Sequence, residues 1–275
     1  MTLRFTKMHG AGNDFVIVDC RRRPLALDAR RIARLGDRHF GVGFDQLLTI
    51  ESSPDPSCSF AYAIYNQDGL TAKQCGNGVR CVAAWLHRDG AIGLGATRLS
   101  SPSGPIDIDV LDAGHVRAGM GMPRFAPEQI PLQLAPADPY RLHLNDAEIE
   151  FGAVSMGNPH AVIEVDDVAT APLSTLGAAL STHPLFAQGA NVGFVELVDR
   201  GHLRLRVWER GAGATLACGT GACAAVAVLR RRGKVDAKVA VDLPGGTLQI
   251  AWHGEGQPLT MTGAAEFVFE GEHDA

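Results

Sequence analysis

Lysine is scarce in this sequence: there are four in 275 residues, Lys7, Lys73, Lys234 and Lys238. A Schiff-base coenzyme needs one, and only Lys73, two residues before Cys75, is a plausible candidate. No Gly-Lys-Ser/Thr phosphate loop occurs, and no Cys-x-x-Cys pair or companion histidine spacing suggests zinc. No stretch approaches 18 consecutive apolar residues, so no membrane span is expected. The opening segment, Met1 to Lys7, has none of the apolar core of a secretory signal. The six cysteines are therefore expected to be reduced thiols in the cytoplasm. A net charge of -5 gives no reason to expect nucleic acid or an anionic membrane as a partner. The short arginine runs Arg21–Arg23 and Arg230–Arg232 read as solvated surface.

What remains is a globular composition, 46% apolar and 20% charged. Phe60 to Tyr65 and Leu203 to Trp208 alternate like half-buried strands. Residues 15–19, 106–110, 162–165, 235–241 and 266–269 read similarly, and helices are expected over Asp28–His39, Gly76–Arg88, Leu173–His183 and Gly219–Arg232. After Cys75, the residues Val79, Val82, Ala83 and Leu86 mark one helix face, with Gly90 to stop it. After Cys218, residues 222–229 are apolar on every side, so that helix must be wrapped on every side.

These features occur twice, in order. Gly12-Asn13 lies 145 residues before Gly157-Asn158, Val42-Gly43-Phe44 lies 150 before Val192-Gly193-Phe194, and Cys75-Gly76-Asn77-Gly78 lies 143 before Cys218-Gly219-Thr220-Gly221. Asn66 and Glu209 each precede their cysteine by nine residues. The expected organisation is a duplication. Residues 1–120 form a half carrying Cys75, and 121–262 form a half carrying Cys218. Residues 263–275 are a candidate return to the first half, and the proline-rich stretch from Pro123 to Pro139 is the expected linker or crossover.

A helix N-terminus offers unpaired N–H groups and roughly half a positive charge. A cysteine at that entrance can have its pKa lowered into the range of about 3.5–7.5, and glycines beside it let a carboxylate approach the backbone. Two such entrances, facing each other about a pseudo-twofold axis, would set one sulfur on each face of a substrate α-carbon. One thiolate would remove the proton while the other thiol supplies one, which is what stereoinversion needs. Cys20, Cys58, Cys81 and Cys223 read instead as small buried hydrophobes. Gly219 to Ala224 also fits a nucleotide-binding G-x-G-x-x-A by letters, but lacks the acidic partner after a second strand.

The segments Met8 to Phe15, Asn66 to Gly69, Cys75 to Cys81, Gly157 to His160, Glu209 to Gly211 and Ala217 to Gly221 resemble the diaminopimelate epimerase family. The resemblance implies an α+β fold of two pseudo-symmetric halves, each a mostly antiparallel sheet or barrel wrapped around a central helix. It implies conversion of LL-2,6-diaminopimelate to the meso isomer, without cofactor or metal, by a homodimer serving lysine and peptidoglycan-precursor synthesis. By position, Cys75 would be the proton donor and Cys218 the acceptor in one direction. Gly76, Asn77, Gly219 and Thr220 would bind the carboxylate, while Asn13, Gln46, Asn66, Asn158, Asn191, Glu209 and Arg210 bind the rest of the substrate. His160 and Glu209 are candidates for tuning a thiol. Leu70 departs from the family, which more often has serine after Asp-Gly. Proline racemases and hydroxyproline epimerases are rivals within the fold, but typically carry Cys-Gly-His where Asn77 stands here. A binding protein with a degenerate site is the rival outside enzymes.

Overall fold

The computed structural model describes residues 2–24, 27–73, 75–144 and 147–274. The chain forms two compact units, residues 1–119 with 262–275 and residues 120–261. The first contains β1 (Thr2–Gly10), β2 (Asn13–Asp19), α1 (Ala29–Gly36), β3 (Gln46–Glu51), β4 (Phe60–Asn66), α2 (Gly76–Arg88), β5 (Gly95–Ser101), β6 (Gly104–Val110) and β7 (His115–Gly119). The second contains β8 (Tyr140–Leu144), β9 (Ala147–Ser155), β10 (Pro159–Glu164), α3 (Ala178–Ser181), β11 (Asn191–Asp199), β12 (His202–Glu209), β13 (Gly213–Thr215), α4 (Gly219–Arg231), β14 (Lys238–Leu243) and β15 (Gly246–Ala251). Strand β16 (Thr260–Ala264) carries the chain back, and β17 (Glu266–Asp274) pairs antiparallel with β1.

Both units use one connection pattern. An antiparallel pair (β1–β2, β9–β10) is followed by a parallel crossover (β2–β3, β10–β11) and an antiparallel return (β3–β4, β11–β12). A second parallel crossover through the central helix follows, β4 to β5 over α2 and β12 to β14 over α4. The fold is α+β and its sheets are mostly antiparallel, as expected, with two parallel pairings per unit. They arise because a helical crossover delivers the next strand in the same direction. Registers repeat as well: Phe15 pairs with Gln46 and His160 with Asn191, both partners displaced by 145 positions.

In the first unit the strands alternate between two apolar layers. Phe15, Ile17 and Leu48 pack with Val79, Val82, Ala83 and Leu86 of α2, whereas Val16, Val18 and Leu47 pack with Ile32 and Leu35 of α1. The period of two in a strand and the near-four spacing of the helices meet here. In the second unit every residue from Gly221 to Leu229 is buried, as an all-round apolar helix requires, and α4 packs against β9, β10, β11, β12 and β15.

The elements differ from the sequence reading in four places. The first helix stops at Gly36, because Asp37 turns to an extended conformation and its carboxylate accepts the N–H groups of His39 and Phe40. The segment 173–183 is a π-turn over Leu173–Gly177 that tightens into α3, where a Cβ on Gly177 would lie 3.0 Å from Trp208 Cβ. Strand β14 starts at Lys238, since Asp236 is held outside it by its N–H bond to Arg200 O. The proline-rich stretch 123–139 is no linker, for it packs inside the second unit. Ile130 and Leu132 sit in that unit's core, and bridges tie Arg124 to Ser155 and Leu132 to Phe186. Prolines remove donors and fix φ, but they do not prevent the residues between them from being buried.

The turn after β4 shows why glycine is required there. Gly69 has φ +80, and a Cβ on it would lie 2.3 Å from Ala29 O and 2.5 Å from Ala29 Cα. The backbone cannot yield cheaply at either atom. Gly69→Ala should cost about 2–5 kcal/mol, combining left-handed strain with overpacking, and a urea titration of the variant against the native chain measures it. An unchanged midpoint would refute the clash.

Candidate active site

Cys75 and Cys218 are the N-cap residues of α2 and α4, both extended, at φ -147, ψ 107 and φ -118, ψ 102. Cys75 is half-buried, and its Sγ accepts the Gly78 N–H at 3.3 Å. Cys218 is 3% exposed. The glycine three residues on leaves room for each sulfur: a Cβ at Gly78 would lie 3.4 Å from Cys75 Cβ, and one at Gly221 would lie 3.2 Å from Cys218 Sγ. The residue two after each cysteine is tied to the asparagine of its own unit. Asn77 Nδ2 donates to Asn13 Oδ1 at 3.3 Å, and Asn158 Nδ2 donates to Thr220 Oγ1 at 3.3 Å. The first-turn amides of both helices, including those of Gly76, Asn77, Gly219 and Thr220, have no intrahelical acceptor to reach.

Around Cys75, Asn13 also donates through Nδ2 to Asp45 Oδ2 at 2.8 Å, and Cys75 Sγ donates to Asn13 Oδ1 at 3.6 Å. Gln46 Nε2 donates to Asn66 Oδ1 at 3.0 Å, while its Oε1 is buried with no hydrogen-bond partner among the described residues. A buried acceptor in that state suits an incoming donor such as an ammonium group.

Around Cys218 the chemistry differs. Thr220 Oγ1 lies 3.7 Å from Sγ, and Glu209 accepts a hydrogen bond from Thr215 Oγ1 at 2.6 Å. Burial, and then the Glu209 carboxylate, push the Cys218 thiol well above its ordinary pKa. This corrects the expectation that the helix entrance lowers it, because desolvation of a sulfur this enclosed outweighs half a helix charge. His160 occupies the position equivalent to Phe15 and is 1% exposed. Burial, then the Arg210 charge, lower its pKa to about 3, so it is neutral at pH 7. Its Nε2 lies 3.1 Å from Asn158 Oδ1. It therefore orients Asn158 and carries no charge with which to tune the thiol. Asn191 Oδ1 accepts the Arg210 N–H at 2.9 Å, and the exposed Arg210 guanidinium donates to Gln188 O.

The remaining cysteines pack. Cys20, Cys58, Cys81 and Cys223 are all buried, and burial pushes Cys81 up to about 12. Lys73 is exposed, its carbonyl accepting from Ser103 Oγ. Leu70 is exposed, and its N–H donates to Asp68 Oδ1, so the turn closes without a serine hydroxyl. Among the described residues, no group of three or more His, Cys, Asp or Glu is arranged to hold a metal, and no helix is long and apolar enough to cross a membrane.

Two sets of residues escaped the sequence reading. Lys7, Asp14, Arg38 and Asp45 form a charged cluster behind Asn13, where hydrogen bonds from Arg38 and Lys7 overcome burial and pull Asp14 down to about 2. Arg80 is fully buried in α2, donating to Asn77 Oδ1 at 2.9 Å and Gly76 O at 3.3 Å. The available signal was an arginine among the apolar residues of the helix face marked by Val79, Val82 and Ala83.

The fold is shared with amino-acid epimerases and their relatives. A hydroxyproline epimerase from Agrobacterium vitis superposes with a TM-score of 0.72 at 15% identity, covering 98% of this chain and 92% of that one. A PhzF-family phenazine biosynthesis protein from Bacillus anthracis gives 0.71 at 15% identity, covering all of both chains. At such identity the likeness speaks for the backbone alone. On that backbone this chain sets a cysteine at the cap of each central helix. The diaminopimelate epimerase family profile matches residues 5–126 and 152–268. Diaminopimelate epimerases from Xanthomonas campestris and Ectopseudomonas mendocina are 53% and 49% identical, over 98% and 99% of this chain and 96% and 99% of their own lengths. The chain belongs to the diaminopimelate epimerase family.

Proposed function

We propose that this chain interconverts LL- and meso-2,6-diaminopimelate, using Cys75 and Cys218 as its two acid–base groups. The observation that carries this reading is the repeated helix entrance. Each unit caps its central helix with a cysteine and ties the residue two positions on to an asparagine. Names of relatives at about half identity supply the substrate. In the reaction one sulfur, as thiolate, takes the α-proton, and the other, as thiol, gives its proton to the carbon from the opposite side. The pair ends with its protonation states exchanged and no net proton gained or lost. Charge that spreads into the substrate carboxylate in the transition state is met by first-turn amides at Gly76, Asn77, Gly219 and Thr220.

Asn13, Gln46, Asn66, Asn158, Asn191, Glu209 and Arg210 hold the rest of the substrate. A molecule with two ammonium and two carboxylate groups needs such a mixture. The Gln46 oxygen, buried without a partner among the described residues, supports an ammonium there, and Arg210 can grip a carboxylate bidentately. Glu209 keeps the proton on Cys218 until substrate alters that environment. The enzyme works as a homodimer in the cytoplasm, in lysine and peptidoglycan-precursor synthesis.

The test is incubation with LL-diaminopimelate in D₂O under reducing conditions without added cofactor. Deuterium should enter at the α-carbon as the meso isomer forms. No exchange would sink the reading, and exchange with proline instead would move the chain to the proline racemase side of the fold.

A further inference from the structure

We propose that Asp45 is a positioning residue. It fixes Asn13 in the one amide orientation that turns its carbonyl oxygen toward Cys75, and so keeps a proton on that sulfur. The inference rests on the reading of Cys75 as one of the two working thiols.

Hydrogen-bond direction fixes the side chains around Cys75. An asparagine side chain has a donor end and an acceptor end, so its orientation follows from partners that can play only one part. Arg80 is donor-only, and its Nη1 donates to Asn77 Oδ1 at 2.9 Å. That leaves Asn77 Nδ2 to donate to Asn13 Oδ1 at 3.3 Å. At the far end an ionised Asp45 is acceptor-only, and its Oδ2 takes Asn13 Nδ2 at 2.8 Å and the Asp14 N–H at 3.2 Å. The chain from Arg80 through Asn77 and Asn13 to Asp45 can therefore run only one way. Its middle oxygen, Asn13 Oδ1, is offered to Cys75 Sγ at 3.6 Å, and a sulfur can bond to it only as S–H.

Asp45 is itself held. Arg38 Nη2 donates to its Oδ1 at 2.8 Å, and its N–H donates to Asp14 Oδ1 at 3.0 Å. Asp14 is anchored in turn by Arg38 and by buried Lys7. Packing supports the donor end as well. A Cβ on Gly10 would lie 2.9 Å from Arg80 Nη2 and 3.5 Å from Asn77 Cβ, so the strand leading to Asn13 runs flush against that arginine and asparagine. The second unit is wired differently. Cys223 stands at the position matching Arg80, and Asn158 turns its NH₂, not its oxygen, toward the helix entrance at Thr220. The duplicated asparagines thus present opposite ends to the residue two beyond their cysteines, Asn13 its oxygen to Asn77 and Asn158 its NH₂ to Thr220.

The experiment titrates Cys75 by thiolate absorbance in a Cys218→Ala background, where the other four cysteines are buried. It needs no turnover, so it stands even if diaminopimelate is not the substrate. Among the described residues this sulfur also accepts the Gly78 N–H and interacts with Tyr62 from β4 and Cys81 from α2, the latter facing Arg80 and Glu266; all are common to every variant. Asp45 is 46% exposed, so both replacements spare the core. With Asp45→Leu, Asn13 loses the acceptor that fixes its donor end and is held only by the longer bond from Asn77; the Cys75 midpoint should fall by about one unit, with alkylation at pH 7 about tenfold faster. With Asp45→Asn, an acceptor oxygen is restored and less than half of that shift should remain. An unchanged midpoint in Asp45→Leu overturns the proposal. Equal shifts in the two variants also overturn it, because they would trace the effect to lost charge.

Discussion

Replacing either helix-capping cysteine with alanine should reduce epimerisation by at least about 10²–10⁴-fold, the usual worth of a positioned acid or base. Both variants should fold. The capping hydrogen bond from Gly78 N–H is lost in Cys75→Ala, but such a cap contributes only about 1 kcal/mol. Cys218 sits at the end of a helix whose nine residues from Gly221 to Leu229 are all buried, and a single sulfur adds little to that packing. The loss should therefore appear in kcat, with the melting temperature lowered by only a few degrees. Neither variant should be rescued by the other thiol, because a base that returns its own proton to the same face regenerates the starting hand. Full activity in either one, measured by formation of the meso isomer, would refute the two-thiol mechanism.

Acidification should destabilise the second unit through one residue. His160 has a pKa near 3 when folded and about 6.5 when unfolded. Between those values the unfolded chain binds a proton that the folded chain refuses, so stability is lost as pH falls below 6.5. From pH 7 to pH 5 this amounts to about 2 kcal/mol. Burial is the main cause, with the Arg210 charge adding to it. His160→Gln can still donate to Asn158 but cannot titrate. Urea midpoints at the two pH values should show the native chain losing about 2 kcal/mol more than this variant, and equal losses would mean that His160 does not stay neutral.

The sequence revealed the features that repeat. Helices α2 and α4 were legible because Cys-Gly-x-Gly begins both, and because Val79, Val82, Ala83 and Leu86 keep one spacing while residues 222–229 are apolar throughout. Asn13 and Asn158 stood out by their common offset, and both do meet the residue two beyond their cysteine. Features that depend on contacts distant in sequence were hidden. Nothing local distinguishes Asp45 from an ordinary loop aspartate, since its partner Asn13 is 32 positions away. The burial of His160 follows from its strand register under α4, which letters alone do not display. The stretch 123–139 was misread because proline signals an extended backbone without saying whether Ile130 and Leu132 find a core.

The hairpin that presents Asn13 has a thermodynamic consequence. Gly10 pairs with Asn13 across a two-residue turn in which Ala11 and Gly12 have φ +52 and +80. That tight turn leaves the backbone at Asn13 little freedom, and Asp45 and Asn77 remove most of what the side chain has. Ordering one such side chain at binding commonly costs about 0.5–1.5 kcal/mol. Here that entropy was lost when the chain folded, so a ligand reaching Asn13 meets a group already immobilised.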